Sequence, residues 1–524
     1  MGQPHPLHAP ADRLSATGRP DDTTNTADTA DTGPFPMNVG HATDAALAAV
    51  PDRTALVVDG NRYTYRQLEH HTRQACTALA GAGVGPGDRV ALVNLSSALS
   101  IATLFAAARL GAAAAQMNAY LTPGELGQLA DLVGTRVGVA GAAFADGLAQ
   151  AVTGPVLGED EIFSADADDT GPSPAVGDGD DTALVLFTSG TTGLPKPISI
   201  SHGVVADRLA FYSKPIDPDA PQVVDMMSAP IFHIAGTLGL FISLHQGKQL
   251  VMMPRFDAGE WLDLVEQNRV TQTFVVPAML RRILDHPRFP DADLSSLTAL
   301  SYGAAASPVE LIRRAVTALP RVDFSNTFGQ TETLGAYAAL TPDDHRRGDR
   351  LDSVGRPLAG VDVMIVDPAS GRPVEPGQVG ELVVRAHQNT TSEWLHTGDT
   401  GWQDPEGYLY PTGRLSDTIN RGGEKFGPVE VEDVLRTHPD VVDVGVVGVP
   451  DEVLGQRVGV VVVVAEPVSA EDLVRFCAER MATFKVPEYV GFADELPISV
   501  LGKLNRPALR DLLAGAPAVP RPAS

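Results

Sequence analysis

The sequence predicts an α/β protein built from two or more folding units, and three observations point there. The chain has 524 residues, of which 44% are hydrophobic, more than one ordinary core can use. Short apolar runs suited to buried strands alternate with helix-forming stretches from residue 41 to beyond residue 120. The pattern then resumes near Arg414 as a second, smaller unit.

Residues 1–40 are rich in Pro, Thr, Asp and Ala and contain one aromatic, Phe35; they are expected to form a disordered tail. Thr64 with Gln67 reads as a capping box that opens a helix through Leu79. Gly85-Pro86-Gly87-Asp88 then turns the chain into a strand at 89–95. The Ala-rich stretch 101–115 is interrupted by Arg109, and the first residues lack an apolar leader segment, so no membrane span or export is expected. Residues 159–181 carry nine acidic side chains and read as a solvated linker that delivers the chain to the apolar strand 183–187. In the second unit Pro428 opens a helix, strands fall near 442–449 and 458–465, and a helix starts at Ala470. The Pro/Ala-rich residues 514–524 are expected to be loose.

A net charge of −26, from 65 acidic against 39 basic residues, disfavours nucleic acid and anionic membranes as partners. Any phosphate-bearing ligand must therefore be held by local groups. Cys76 and Cys477 are the only cysteines, which leaves no disulfide framework or zinc cluster and fits a reducing cytoplasm.

After the strand 183–187 comes Thr188-Ser189-Gly190-Thr191-Thr192-Gly193-Leu194-Pro195-Lys196, which gathers backbone amides, four hydroxyls and a cation. Such a loop can wrap a polyphosphate. It differs from a Walker A loop, in which Gly-Lys-Ser/Thr opens a helix, because Pro195 and Pro197 flank Lys196.

Four further stretches follow: Phe328-Gly329-Gln330-Thr331-Glu332, His396-Thr397-Gly398-Asp399, Gly413-Arg414-Leu415-Ser416-Asp417 and Gly502-Lys503. In this order and spacing the five stretches resemble the superfamily of acyl- and aryl-CoA synthetases, peptide-synthetase adenylation domains and luciferases. The resemblance spans residues 41–513. It implies a large N-terminal domain of several subdomains with mixed sheets flanked by helices, 41–415, and a small mobile α+β C-terminal domain, 416–513.

It also implies a reaction. ATP and magnesium would activate a carboxylic acid to an acyl-AMP, and coenzyme A would take the acyl group as a thioester. Thr188, Ser189, Gly190, Thr191, Thr192, Gly193 and Lys196 would hold the β- and γ-phosphates. Gly303, Ala304 and Ala305 would line the adenine and Phe328, beside Gly329, would stack on it. Thr331 would meet the α-phosphate and Glu332 would bind magnesium. Asp399 would accept from the ribose hydroxyls with Arg414 in support. Lys503 would stabilise the charge that builds as the carboxylate attacks.

His233, Ile234, Gly236, Tyr302 and Gly303 would border the acid. The segments 234–240 and 274–279 are apolar and uncharged, which favours a hydrophobic acid. Ser416 would be the hinge of the small domain, and Gly422, Gly423, Glu424 and Lys425 would form the thioester loop, leaving room for a pantetheine arm. Pro197, Ser416, Asn420 and Phe328 depart from the residues commonest in the family. Four readings stay open: a complete acid:CoA ligase, an adenylating enzyme that stops at acyl-AMP or serves a carrier-protein thiol, an idle nucleotide-binding homologue, and a luciferase-type oxidation, which shares the adenylation site. A monomer or homodimer is expected.

Overall fold

The computed structural model describes residues 38–166, 179–188, 195–391, 393–498 and 504–519. Two mixed sheets dominate. The nine-stranded sheet runs in the order Arg356–Pro357, Gly335–Leu340, Asp323–Gln330, Ala299–Gly303, Gln272–Val275, Val224–Met227, Gln249–Met252, Thr54–Val58, Asn61–Thr64. Its six central strands are parallel, and its outer members pair antiparallel. The six-stranded sheet, from Val156–Leu157 to Lys196–Ser201, is parallel except for its last pair, Thr182–Thr188 with Lys196–Ser201.

The helix Ala98–Arg109 is buried on every side, all twelve residues of it. A helix without a polar face belongs inside a core. Among the described residues no helix is long and apolar enough to cross a membrane. Arg109 ends the helix with two bonds to Glu69, at 2.9 and 2.7 Å, and one to the carbonyl of Gly40.

The capping box at Thr64 and Gln67 opens the helix Tyr65–Gly81 as the sequence indicates. Residues 38–40 differ from expectation: Val39 is wholly buried, and Asn38 donates to the Ala108 carbonyl at 2.8 Å. Packing against the core helix orders what composition alone marks as tail. The expected linker also begins as structure, since Glu159–Phe163 is a helix with Ile162 buried against the Tyr65–Gly81 helix. Its remainder, 167–178, and the tail 1–37 lie outside the described residues.

An antiparallel sheet of four strands follows, Val361–Val366, Gly380–Ala386, Leu395–Gln403 and Leu409–Arg414. The C-terminal sheet has five strands: the hairpin Ile419–Arg421 with Glu424–Phe426, the long pair Val441–Asp451 with Gly455–Val464, and Tyr489–Phe492 alongside. Helices Pro428–Arg436 and Ala470–Ala478 form where Pro428 and Ala470 placed them. Of the residues expected to be loose from 514 onward, Val519 is buried and donates its amide to the Glu488 carbonyl, while 514, 515, 517 and 518 are exposed. In this C-terminal part Arg506 binds Asp417 at 3.0 Å and Glu432 at 2.8 Å, joining the turn after Arg414 to the last helix, Arg506–Leu512.

Candidate active site

Sheet direction gathers the candidate residues. Strands Val224–Met227, Gln272–Val275, Ala299–Gly303 and Asp323–Gln330 are parallel neighbours, so their carboxyl ends share one edge. Ligands of open α/β sheets bind in the crevice beyond such an edge. From it emerge His233 to Gly236, then Ala304 and Ala305, then Thr331 and Glu332.

The six-stranded sheet meets the same place. Gln116, at the carboxyl end of Ala113–Gln116, donates to Thr237 Oγ1 at 3.2 Å, one turn into the helix Ile234–His245. The parallel neighbour Thr182–Thr188 ends at Thr188, which pairs with exposed Lys196 across the hairpin. Ser189, Gly190, Thr191, Thr192 and Gly193 lie outside the described residues, as does Lys503.

Glycines set the close approaches. A Cβ on Gly303 would stand 2.2 Å from the Thr327 carbonyl oxygen, and one on Gly329 would stand 1.9 Å from that of Gly335. A Cβ on Gly236 would likewise stand 2.2 Å from the Pro230 carbonyl oxygen, where the chain turns through His233 into its helix. Ala304 takes φ +65°, a left-handed conformation that costs a residue with a Cβ about 1 kcal/mol.

Glu332 sits in the single turn Thr331–Thr333, and its carbonyl accepts from the amide and hydroxyl of Thr390 at 3.0 and 3.2 Å. This fixes the backbone while the half-exposed carboxylate makes no ion pair among the described residues. No cluster of three or more His, Cys, Asp or Glu that could cage a metal occurs among them either. One carboxylate together with phosphate oxygens is the usual setting for magnesium, so the donor set fits that ion.

Asp399 and Arg414 face each other across adjacent strands, with Nε 2.9 Å from Oδ1. The carboxylate is buried and the guanidinium about half exposed, at 48%. Tyr337 stands in none of the sequence motifs. Its buried hydroxyl has no hydrogen-bond partner, its ring meets that of Phe328 edge-on at 5.2 Å, and burial, then the charge of Asp399, push its phenol far up. Phe328 and the Asp399–Arg414 pair are thereby brought round one side chain.

Tyr302 is expected to border the acid. Its ring is fully buried and its hydroxyl lies 2.9 Å from His345 Nε2. His345 Nδ1 donates to the Thr341 carbonyl, so the neutral ring accepts the Tyr302 proton. Successive strand side chains point to opposite faces, and Tyr302 takes the face packed on His345 while the Cβ direction of Gly303 runs into Thr327.

Gly422 and Gly423, at φ +62° and +99°, form the two-residue turn of the hairpin that ends in Glu424 and Lys425. The amide of Gly422 donates to Leu454, and Lys425 adds to hydrogen bonds from Ser370 in holding the Asp367 carboxyl below its usual range. These neighbours belong to the C-terminal sheet and to the loop after Val361–Val366, not to the strand ends described above. Ser416 lies exposed in the turn Leu415–Asp417.

The family model for AMP-binding enzymes matches residues 43–392, and that for the AMP-binding enzyme C-terminal domain matches residues 430–503. The chain belongs to the AMP-binding enzyme family. It is an adenylate-forming ligase with the AMP-binding fold.

Among AMP-binding relatives, the fatty acid–[acyl-carrier-protein] ligase ScoC of Streptomyces coeruleorubidus is 32% identical, over 89% of this chain and 94% of its own. A feruloyl-CoA synthase of an Amycolatopsis species is 34% identical over 88% and 96%. The structure of Bacillus subtilis o-succinylbenzoate coenzyme A synthetase, in complex with ATP and magnesium ion, superposes with a TM-score of 0.79 at 27% identity, over 90% and 99% of the two chains.

Proposed function

We propose that this AMP-binding enzyme activates a hydrophobic carboxylic acid to its acyl-AMP and transfers the acyl group to coenzyme A. The supporting observation is the shared sheet edge that puts the His233 helix, the Ala304 turn and Thr331–Glu332 beside the strand feeding the phosphate loop.

ATP would lie with its phosphates between Thr188–Lys196 and Thr331. Its adenine would rest between Gly303–Ala305 and Phe328, and its ribose hydroxyls on Asp399. Glu332 would hold magnesium, which neutralises phosphate charge when bound. The acid's carboxylate, beside His233, attacks the α-phosphorus; pyrophosphate leaves with the bridging electron pair, and Lys503 stabilises the crowded charge. Residues 416–513 are proposed to turn about Ser416 and bring Gly422–Lys425 to the adenylate. A thiol sulfur then forms the thioester bond as AMP leaves.

The apolar helix Ile234–His245 supports a hydrophobic acid, as do relatives named for fatty and ferulic acids. The relative that serves an acyl-carrier protein favours a second reading, in which a protein-borne thiol replaces coenzyme A. Purified enzyme with ATP, magnesium, coenzyme A and a panel of acids decides between them. Acyl-CoA formed without any other protein supports the first. Pyrophosphate release without acyl-CoA supports the second, and release with no acid overturns both.

A further inference from the structure

Arg208 is a buried cation with no carboxylate paired to it among the described residues. It lies on the helix His202–Tyr212, is 2% exposed, and makes no ion pair among the described residues. A guanidinium carries five N–H donors. The bond formed here goes from one Nη to the Ala336 carbonyl at 3.0 Å, and Nε is buried with no partner. The rings of Phe211 and Tyr212 lie 5.6 and 5.1 Å from the guanidinium carbon, and the Tyr212 hydroxyl is the one side-chain oxygen acting on it among the described residues. Burying an unsatisfied charge is costly enough that such a group calls for a partner.

Its position says where that partner comes from. Ala336 follows Gly335 at the start of Gly335–Leu340, just after Thr331–Thr333. A Cβ on Gly335 would stand 2.8 Å from Leu238 Cδ2, on the helix that starts beside His233. Leu238 is four residues beyond Ile234, roughly 6 Å along the axis at 1.5 Å per residue. The strand whose Ala336 carbonyl accepts from Arg208 thus packs on the acid-bordering helix one turn beyond its carboxylate end.

We propose that Arg208 is a specificity-determining residue that receives an oxygen acceptor carried by the acid at its end remote from the activated carboxylate. The acceptor is a hydroxyl, carbonyl or second carboxylate oxygen, set on an otherwise apolar frame. This rests on the acid lying along Ile234–His245, as in the proposed function, and it adds a polar requirement to an apolar pocket.

The test compares matched acids in pyrophosphate release: adipate against hexanoate, and para-hydroxycinnamate against cinnamate. The wild-type enzyme is expected to favour the oxygen-bearing member of at least one pair by tenfold or more in kcat/KM. Arg208→Met should bring that ratio close to one, and Arg208→Lys should keep part of it. A purely structural arginine would lower both members together and leave the ratio intact. An intact ratio in Arg208→Met, or no preference in the wild type, overturns the inference while leaving acid activation standing. Failure of every acid to release pyrophosphate would instead overturn the proposed function, and this inference with it.

Discussion

Replacing Gly303 by alanine tests whether the close approach of two strands sets the nucleotide end of the site. Its φ lies outside the left-handed region, so space and not conformation excludes a side chain. The new Cβ would stand 2.2 Å from the Thr327 carbonyl oxygen and 2.9 Å from Thr327 Oγ1. Real Cβ atoms essentially never come within 3.0 Å, so the strands must part by 0.8 Å or more, the difference of 3.0 and 2.2. Overpacking of this kind costs about 1–3 kcal/mol. The strand that moves is Asp323–Gln330, which carries Phe328 and leads into Thr331 and Glu332. A misplacement of about 1 Å at reacting groups can cost on the order of 100-fold in rate. Gly303→Ala is therefore expected to lower the thermal midpoint and to slow acid-dependent pyrophosphate release by about 100-fold. Gly124→Ala is the control: it lies in the helix Pro123–Val133 with nothing within 4 Å of its Cβ, and should be neutral or stabilising by up to ~1 kcal/mol. Wild-type release by Gly303→Ala would refute the reasoning.

Asp399→Ala should raise the ATP requirement about 10- to 100-fold, since a charge-assisted bond contributes about 1.5–3 kcal/mol; an unchanged KM for ATP would remove Asp399 from the ribose. Ser416→Pro fixes φ near −65°, which a single-turn helix accommodates, so one orientation of the C-terminal part is favoured. Single-turnover quenching should find acyl-AMP formed and thioester missing, and full thioester formation would mean that Ser416 is not the hinge. Burial holds His202, His245 and His345 below the usual imidazole range. Below about pH 6.5 the unfolded chain then binds more protons than the fold, so their stabilisation is complete above that pH and is lost as pH falls. Thermal midpoints measured from about pH 7.5 down to pH 5.5 should decline, less steeply in His345→Gln; a rising midpoint would contradict the sign.

Much of the architecture was legible because local signals agreed with the fold. The Thr64 capping box, the Pro428 helix start and the paired valine-rich strands needed no tertiary information. At the inner ends of the two expected tails one apolar residue decides: Val39 and Val519 are buried by partners distant in sequence, and composition averages them away. Tyr302 was readable, since period-two alternation already separates it from Gly303. Arg208 and Tyr337 were not. A lone arginine in a short helix and a tyrosine in an edge-proximal strand are ordinary residues until burial strips their polar atoms of partners.

The Arg506 ion pairs have a mechanical consequence. They clamp Asp417 to two helices of the C-terminal body, so the last residue of the Leu415–Asp417 turn travels with that body. Whatever bending the connection allows is thrown onto the one or two residues before it, as a door swings at its pin and not along its leaf. If the C-terminal part turns about Ser416 as proposed, the axis lies beside Arg414, the residue that grips Asp399, and the turn would load that grip.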